Sequence, residues 1–333
     1  MQLRVTVLGA GSFGTTMAHL FTQNVPTLLW CRRPEIADQI NREHRNEAYL
    51  PGFSIAPDLR ATASFEEAVR EADVLVMGIP SHGMRSALEE VSKHIRPWVP
   101  VVSLAKGLEP GSLLRMTEVI REVLPEHRAG ALTGPNLAKE IMAGLAAASV
   151  IAVEDLELAK QLQGIFNCGL FRVYTNRDVI GCELAGALKN VIAIATGMGD
   201  GLGVGDNTRS AVITRGLAEL TRLGVAMGGE PATFAGLAGI GDLVATCTSA
   251  QSRNRWVGEQ LGRGQTIERI SEGMNQVAEG VKTTAVAMEL SGRYSIDLPI
   301  AREVYGVLYE GRTAEDAYRG LTRRTPGSET DPD

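Results

Sequence analysis

Lys189 is the residue whose type and surroundings most favour chemistry in this sequence. It lies within residues 181–199, where apolar residues at helical spacing leave no broad polar face, so this segment is predicted to be a helix buried nearly all round. Glu183 is the only other charged residue there. A buried ammonium either loses its proton or needs a partner, because desolvation of the charge is costly. Lys189 is therefore predicted to be an acid–base group, to form a structural ion pair, or to extend its aliphatic side chain so that the ammonium reaches solvent.

A glycine-rich turn near the start of the chain is the second candidate. Gly9, Gly11 and Gly14 follow the apolar run at residues 4–8, and a helical pattern through Met17 and Phe21 comes next. This order of strand, turn and helix is the context that a dinucleotide fingerprint requires. Gly9 would permit the tight turn, Gly11 the close approach of a pyrophosphate, and Gly14 the packing of helix on strand.

The end of the second apolar run indicates which dinucleotide is bound. After residues 27–30, where an NAD-preferring site normally carries a carboxylate for the ribose, the chain has Cys31, Arg32 and Arg33, and its first acid is Glu35. Two guanidinium groups suit a 2′-phosphate, so NADPH is the expected cofactor in preference to NADH. The alternative is a solvated arginine pair at the start of a helix.

Further polar groups follow apolar runs, where doubly wound sheets bind ligands. They include Lys106, which is either a substrate contact or an ordinary exposed lysine. In the second half, polar residues gather around Asp242 and again at Ser252, Arg253 and Asn254, which open an amphipathic helix. Hydroxyl, N–H and guanidinium groups at a helix N-terminus suit a phosphate, although an ordinary N-cap with a basic first turn is the alternative.

The elements that must position these groups change in kind near residue 180. Before it, apolar runs alternate with helical patterns, which predicts an α/β fold with an N-terminal Rossmann-like, doubly wound parallel sheet. After it the pattern is helical throughout, so we predict a dinucleotide-binding domain at residues 1–180 and a helical substrate-binding domain at 181–333, with a disordered tail from about 324. The predicted strands cover residues 4–8, 27–30, 74–78, 100–104, 129–133, 148–153 and 171–175, and two of the predicted helices cover 84–95 and 112–123.

Composition limits the remaining classes of function. The 333 residues are 44% hydrophobic and 22% charged, with a formal net charge of -6, which disfavours nucleic acid or an anionic membrane surface as the main partner. No apolar run of membrane-spanning length is free of charge, and no signal peptide opens the chain, so a cytoplasmic protein without stable membrane insertion is expected. The four cysteines and five histidines show no metal-ligand spacing, so no metal is expected.

Taken together, these stretches resemble the bacterial NAD(P)-dependent glycerol-3-phosphate dehydrogenases over nearly the whole chain. The resemblance rests on the Gly9 turn, Ala-Lys-Gly at Lys106, Gly-Ala-Leu-Lys-Asn at Lys189, Gly-Ile-Gly-Asp-Leu at Asp242, Ser-Arg-Asn-Arg at Arg253 and Val-Ala-Glu-Gly at Glu279. It implies a Rossmann-like domain, a helical domain and a substrate cleft between them. The implied cofactor contacts are Gly9, Gly11, Ser12, Phe13, Gly14, Arg32, Arg33, Lys106, Ala138, Arg253, Val277 and Glu279. The implied substrate contacts are Lys106, Gly134, Asn136, Lys189, Asp242, Ser252, Arg253 and Asn254, with Lys189 as the proton acceptor.

The activity implied is reversible reduction of dihydroxyacetone phosphate to sn-glycerol 3-phosphate with NADPH or NADH, which supplies glycerophospholipid synthesis. One departure from the family is Asn136, which stands where the family usually carries serine. A related reductase of the 6-phosphogluconate or ketopantoate type is the alternative enzyme, and a cofactor-binding redox sensor is the alternative of another class. Apolar helices in the second half favour a homodimer.

Overall fold

The computed structural model describes residues 3–273 and 278–322, which form two compact units. The first unit contains the described residues up to Glu109 together with Leu114–Val179. The second contains Pro110–Leu113 and the described residues from Ile180 onward. The predicted disordered tail and Val277 lie outside the described residues.

An eight-stranded sheet is the centre of the first unit, in the order β3-β2-β1-β4-β5-β6-β7-β8. The strands are β1 (Val5–Leu8), β2 (Thr27–Trp30), β3 (Arg60–Thr62), β4 (Val74–Met77), β5 (Val101–Ser103), β6 (Ala129–Thr133), β7 (Ala147–Ala152) and β8 (Phe171–Asn176). The order reverses direction between β1 and β4, so the sheet is doubly wound, and ligands bind such sheets at this point.

Helices cover both faces of this sheet. They are α1 (Ser12–Phe21), α2 (Pro34–Glu43), α3 (Phe65–Arg70), α4 (Met84–Val91), α5 (Met116–Val123), α6 (Ala138–Met142) and α7 (Leu156–Phe166). Side chains along a strand alternate between the two faces. In β4, Val74 and Val76 therefore join one apolar core, whereas Leu75 and Met77 join the other. Burial on both faces explains why β4, like β1, is a continuous apolar run in the sequence.

The sheet differs from the predicted parallel one at a single pairing, because β7 runs antiparallel to β6. The link between Thr133 and Ala147 contains only α6, whose five residues span about 7.5 Å. The five residues of β6 span about 17 Å, so α6 is too short to carry the chain back along that strand. The chain instead reverses, and β8 then pairs parallel with β7 after the longer helix α7.

Two predicted helices are shorter in the structure. The helix predicted from residue 112 begins at Met116, because Leu113 takes a left-handed conformation (φ 64°) and the Glu118 carboxylate accepts a hydrogen bond from the Arg115 backbone N–H at 2.9 Å. The helix predicted to reach residue 95 ends at Val91. The alternation of strands and helices was otherwise correct, but β3, α3, α6 and α7 were not predicted.

In the second unit, the regular elements of the described residues are all helices, and the unit is built around α8. Its helices are α8 (Val179–Leu202), α9 (Gly205–Ala226), α10 (Pro231–Phe234), α11 (Asp242–Thr248), α12 (Arg253–Gly262), α13 (Ile267–Glu272), α14 (Glu279–Tyr294), α15 (Pro299–Tyr309) and α16 (Ala314–Thr322). Within the described part of the chain, α8 alone is long and apolar enough to cross a membrane, and 94% of its most apolar window is buried inside the protein. Such burial is typical of a core helix, as the sequence predicts for residues 181–199.

Candidate active site

The glycine turn joins β1 to α1 with the geometry of a dinucleotide-binding loop. Gly9 has φ +117°, and a Cβ there would lie 2.5 Å from the Gly78 carbonyl oxygen. A Cβ on Gly14 would lie 2.1 Å from the Gly9 oxygen, so both positions exclude a side chain. A Cβ on Gly11, by contrast, would meet no atom within 4 Å, which leaves space for a ligand to approach the backbone. No side chain caps the N-terminus of α1, so its N–H groups suit an anion.

Residues 46–49, which sequence analysis did not single out, support this turn. The Asn46 side chain donates to the Ala10 carbonyl oxygen at 3.0 Å and to Thr15 Oγ1 at 2.9 Å. The Ser12 hydroxyl donates to the Tyr49 carbonyl oxygen at 2.8 Å, and Phe13 packs half-buried against the core. These hydrogen bonds fix the turn against residues 46–49.

Arg32 and Arg33 are exposed just beyond the end of β2. The Arg33 guanidinium lies over the ring of Tyr49, 5.5 Å from its centroid, and within the described residues neither arginine forms an ion pair with a carboxylate. Their charge is therefore available to an external anion, and the turn and arginines together fit a phosphorylated dinucleotide.

Lys106, Gly134 and Asn136 come together after the neighbouring strands β5 and β6. Lys106 Nζ donates to the Gly134 carbonyl oxygen at 2.7 Å. The Asn136 amide lies 3.0 Å from Ser149 Oγ, and with its nitrogen toward the Pro135 and Ala148 carbonyls, at 3.3 and 3.2 Å, both of its ends are satisfied. These contacts hold the Asn136 amide against β7. Ala138 is the first residue of the short helix that follows.

In the second unit, Lys189 is buried within an ion pair. Its side chain is 5% exposed and that of Asp242 is 3% exposed, and Lys189 Nζ donates to Asp242 Oδ1 at 2.7 Å. It also donates to Thr246 Oγ1 at 2.5 Å, while Thr246 donates to the Asp242 backbone oxygen at 2.6 Å. A π-helical turn over Leu237–Gly241 leads into Asp242 at the start of α11. The sequence left two structural alternatives for Lys189. The structure shows the ion pair, and the Lys189 side chain does not reach solvent.

The N-terminus of α12 lies beside this pair along α8. Asn254 donates from its side-chain nitrogen to Asn190 Oδ1 at 2.9 Å, and its side-chain oxygen accepts from the Gly280 backbone N–H at 3.0 Å. Asn254 therefore joins the residue after Lys189 to the start of α14, where Glu279 is the first residue. Ser252 caps α12 by accepting from the Arg255 N–H at 3.2 Å, and Arg253 is exposed in the first turn.

The chemistry open to this region is that of an amine rather than a thiol. Burial raises the pKa of the nearby Cys247 thiol to about 11, so it stays protonated at neutral pH and is a poor nucleophile. Lys189 has a carboxylate and a hydroxyl to orient it and lies close to a helix N-terminus that suits an anion. This arrangement can move a proton at a substrate oxygen while a charged end of the same substrate is held.

Comparisons with known proteins agree over the whole chain. Two family models match, described as the N-terminus of NAD-dependent glycerol-3-phosphate dehydrogenase over residues 4–159 and its C-terminus over residues 178–319. "Glycerol-3-phosphate dehydrogenase [NAD(P)+] 2" of Sphingopyxis alaskensis is 59% identical over the full length of both chains. "Glycerol-3-phosphate dehydrogenase [NAD(P)+]" of Mycobacterium avium is 57% identical over 98% of this chain and 96% of that protein.

A solved structure gives the same result. The crystal structure of glycerol-3-phosphate dehydrogenase from Coxiella burnetii is similar with a TM-score of 0.92 and 34% identity, covering 97% of this chain and 99% of that one. The chain therefore belongs to the NAD-dependent glycerol-3-phosphate dehydrogenase family.

Proposed function

We propose that this chain catalyses the reversible reduction of dihydroxyacetone phosphate to sn-glycerol 3-phosphate with NADPH or NADH. The buried Lys189, held by Asp242 and Thr246 beside the α12 N-terminus, is the observation that carries the proposal. A nicotinamide, when bound, supplies or accepts the hydride. The protein must then hold the substrate and move one proton.

Lys189 is the proposed proton-transfer group. In reduction its ammonium donates a proton to the carbonyl oxygen of the substrate, and the Asp242 carboxylate stabilises the charged amine. In oxidation the neutral amine accepts the proton of the hydroxyl. General acid–base help of this kind is typically worth about a hundredfold to ten-thousandfold in rate.

The remaining contacts divide between the two units. In the helical unit, Ser252, Arg253 and Asn254 at the α12 N-terminus would bind the substrate phosphate, with Glu279 and Arg253 also contacting the cofactor. In the first unit, the turn from Gly9 to Gly14 would bind the pyrophosphate. Lys106, Gly134, Asn136 and Ala138 stay predictions as ligand contacts, and Asn136 is the weakest because its amide already has hydrogen-bond partners in Pro135 and β7.

The test is spectrophotometric. Purified protein should oxidise NADPH when dihydroxyacetone phosphate is supplied, and Lys189→Ala should lower kcat by at least about a hundredfold while the Kd for NADPH stays nearly unchanged. Lys282→Ala is the matched control, because Lys282 is an exposed lysine of the same unit. Wild-type turnover in the Lys189 variant would refute the acid–base role. Turnover of 6-phosphogluconate or ketopantoate instead would favour the related reductases, and no turnover would favour the sensor.

The cofactor preference is tested at the exposed arginines. Replacing Arg32 and Arg33 together with Gln should raise the KM for NADPH far more than that for NADH, because only NADPH carries the 2′-phosphate. Hydrogen bonds to charged groups are worth about 1.5–3 kcal/mol each, so a rise of tenfold or more is expected, about a factor of ten per 1.4 kcal/mol. Equal effects on both cofactors would contradict the proposed role.

Three further features remain proposals: supply of glycerophospholipid synthesis, a cytoplasmic location and a homodimer. The family membership supports the first. Light scattering of the purified chain would test the third, with twice the 35.6 kDa chain mass as the expected result.

A further inference from the structure

Asp200 is the centre of a partly buried charge cluster that the proposed reaction does not use. It lies in the last turn of α8, and its side chain is 9% exposed. Its Oδ2 accepts from Arg255 Nε at 2.6 Å, and its Oδ1 accepts from Arg209 at 2.6 and 3.0 Å. Arg255 belongs to the first turn of α12, two residues after Arg253, whereas Arg209 belongs to α9.

The placement of these charges is unfavourable for each helix taken alone. A carboxylate in the last turn of α8 and a guanidinium in the first turn of α12 both oppose the helix dipoles, typically by about 0.3–1 kcal/mol each. Pairing them with each other offsets both costs. Asp200 and Arg255 are each unfavourable in their own helix, yet Arg255 Nε and Asp200 Oδ2 lie 2.6 Å apart. This indicates that the contact between the two helix ends matters to the fold or to the site.

The backbones of α8 and α12 are also in direct contact. A Cβ on Gly197 would lie 1.9 Å from the Arg255 carbonyl oxygen, and a Cβ on Gly258 would lie 2.0 Å from the Ile194 carbonyl oxygen. The helices can approach this closely only because these positions lack side chains. Small sideways movements of α12 would therefore produce clashes on one side and gaps on the other.

The first turn of α12 is attached to α8 at two places. Asn254 is bonded to Asn190, beside Lys189, and Arg255 is bonded to Asp200, about 15 Å further along α8 at 1.5 Å per residue. The glycine packing already limits sideways movement of α12, and the two attachments add a second restraint at its first turn. Two attachments fix the direction of its N-terminus relative to Lys189.

We infer that Asp200 acts through Arg255 as a positioning residue, which holds the phosphate-binding N-terminus of α12 at a set place relative to Lys189. This inference rests on the proposed function. The positioning role and simple charge attraction predict opposite signs for Asp200→Asn. Removing the carboxylate adds positive charge near the phosphate and would tighten binding by Coulomb attraction alone, whereas loss of positioning weakens it.

The experiment compares two substrates in three variants. Dihydroxyacetone phosphate carries the phosphate, and dihydroxyacetone lacks it. Asp200→Asn and Arg255→Gln should lower kcat/KM for dihydroxyacetone phosphate by about 10- to 100-fold, chiefly through KM, because small misplacements of a binding group are costly. Activity with dihydroxyacetone should change by less than about twofold, since that substrate has no phosphate to hold.

Arg209→Gln is the matched control, because it removes the other arginine from Asp200 and leaves the bond to Arg255. It should change kcat/KM by less than about threefold. An unchanged or lower KM in Asp200→Asn, an equal loss in Arg209→Gln, or an equal loss with dihydroxyacetone would overturn the inference.

Arg255→Lys serves if Asp200→Asn does not fold. It keeps the charge but not the Nε–H that contacts Asp200, so it should also raise KM for the phosphorylated substrate only, and an unchanged KM would count against the inference. The wild-type protein is assayed first. If it does not reduce dihydroxyacetone phosphate, the proposed function itself is refuted, whereas the variants test only the role of Asp200.

Discussion

Substitutions in the Lys189–Asp242 pair should affect the stability and the activity of the protein differently. Asp242→Asn keeps the shape of the side chain but removes its charge, which leaves an ammonium that is 5% exposed with a neutral partner. Breaking a buried pair in this way costs about 3–5 kcal/mol of unfolding free energy, because the remaining charge is buried without compensation. Replacing both members with apolar residues should cost far less, since a hydrophobic pair of similar volume is often neutral or stabilising.

The local structure favours this double replacement. In Lys189→Met/Asp242→Leu, Thr246 loses its contact with Nζ but keeps its hydrogen bond to the Asp242 backbone oxygen at 2.6 Å. The Thr246 hydroxyl therefore still has a hydrogen-bond partner. The double variant should therefore recover most of the stability lost in Asp242→Asn, yet it should have no turnover, because the amine is gone.

Urea unfolding measures the effect in the helical unit. Trp256 lies on α12, so its fluorescence reports on this unit in a background where Trp30 and Trp98 are replaced with Phe. A loss of less than about 1 kcal/mol in Asp242→Asn would refute the reasoning, as would a double variant whose loss equals the sum of the two single losses.

Two further predictions concern other buried positions. Burial raises the pKa of Glu219, which accepts from the Ile300 N–H at 2.7 Å, from 4.5 to about 7. The folded state then binds this proton more tightly than the unfolded state does, so stability present below pH 4.5 is lost as pH rises to about 7 and above. The loss is about 3 kcal/mol at 1.36 kcal/mol per pKa unit, and Glu219→Gln should remove that part of the pH dependence in urea unfolding; an equal slope in both proteins would contradict it. Among the glycines, Gly14→Ala should cost about 1–3 kcal/mol by overpacking against the Gly9 oxygen. Gly11→Ala should instead leave stability nearly unchanged and weaken NADPH binding, and the reverse order would argue against a pyrophosphate at this turn.

The sequence predicted most of the sheet because its central strands, such as β1, β4 and β6, are buried on both faces. Residues 27–30 and 129–133 are apolar runs that end at polar or glycine-containing turns, and both match β2 and β6 to the residue. The edge strand β3 was missed because its three residues, Arg60–Thr62, carry no apolar run. The helix α7 was missed although Asp155 caps it and accepts hydrogen bonds from the Glu157 and Leu158 N–H groups, a signal that the sequence does contain.

The candidate site was only partly predictable, because its contacts join distant parts of the chain. The glycine turn is local, so spacing and context sufficed to find it. Asn46 and Tyr49 lie 36 and 37 residues beyond the turn residues they support, Ala10 and Ser12, and nothing in their own neighbourhood indicates that role. Asn190 and Asn254 are likewise 64 residues apart. Side-chain hydrogen bonds of this range depend on tertiary packing, which periodicity and propensity do not encode.

The position of Asp242 shows what the local sequence around Lys189 could not predict, namely which residue pairs with the buried amine. The absence of a polar face around Lys189 implies that an ammonium there needs a partner, but it does not say which element supplies that partner. The family resemblance assigned Asp242 to the substrate, whereas the structure pairs it with Lys189 across 53 residues of sequence. A carboxylate has two oxygens and about four acceptor positions, so the bond to Lys189 Nζ does not by itself exclude a contact with the substrate. A carboxylate that contacts the amine on one side and a substrate hydroxyl on the other would hold both ends of the proton transfer. The burial of Lys189 thus follows from the sequence of one helix, whereas its ion pair depends on how a π-helical turn delivers Asp242 from another.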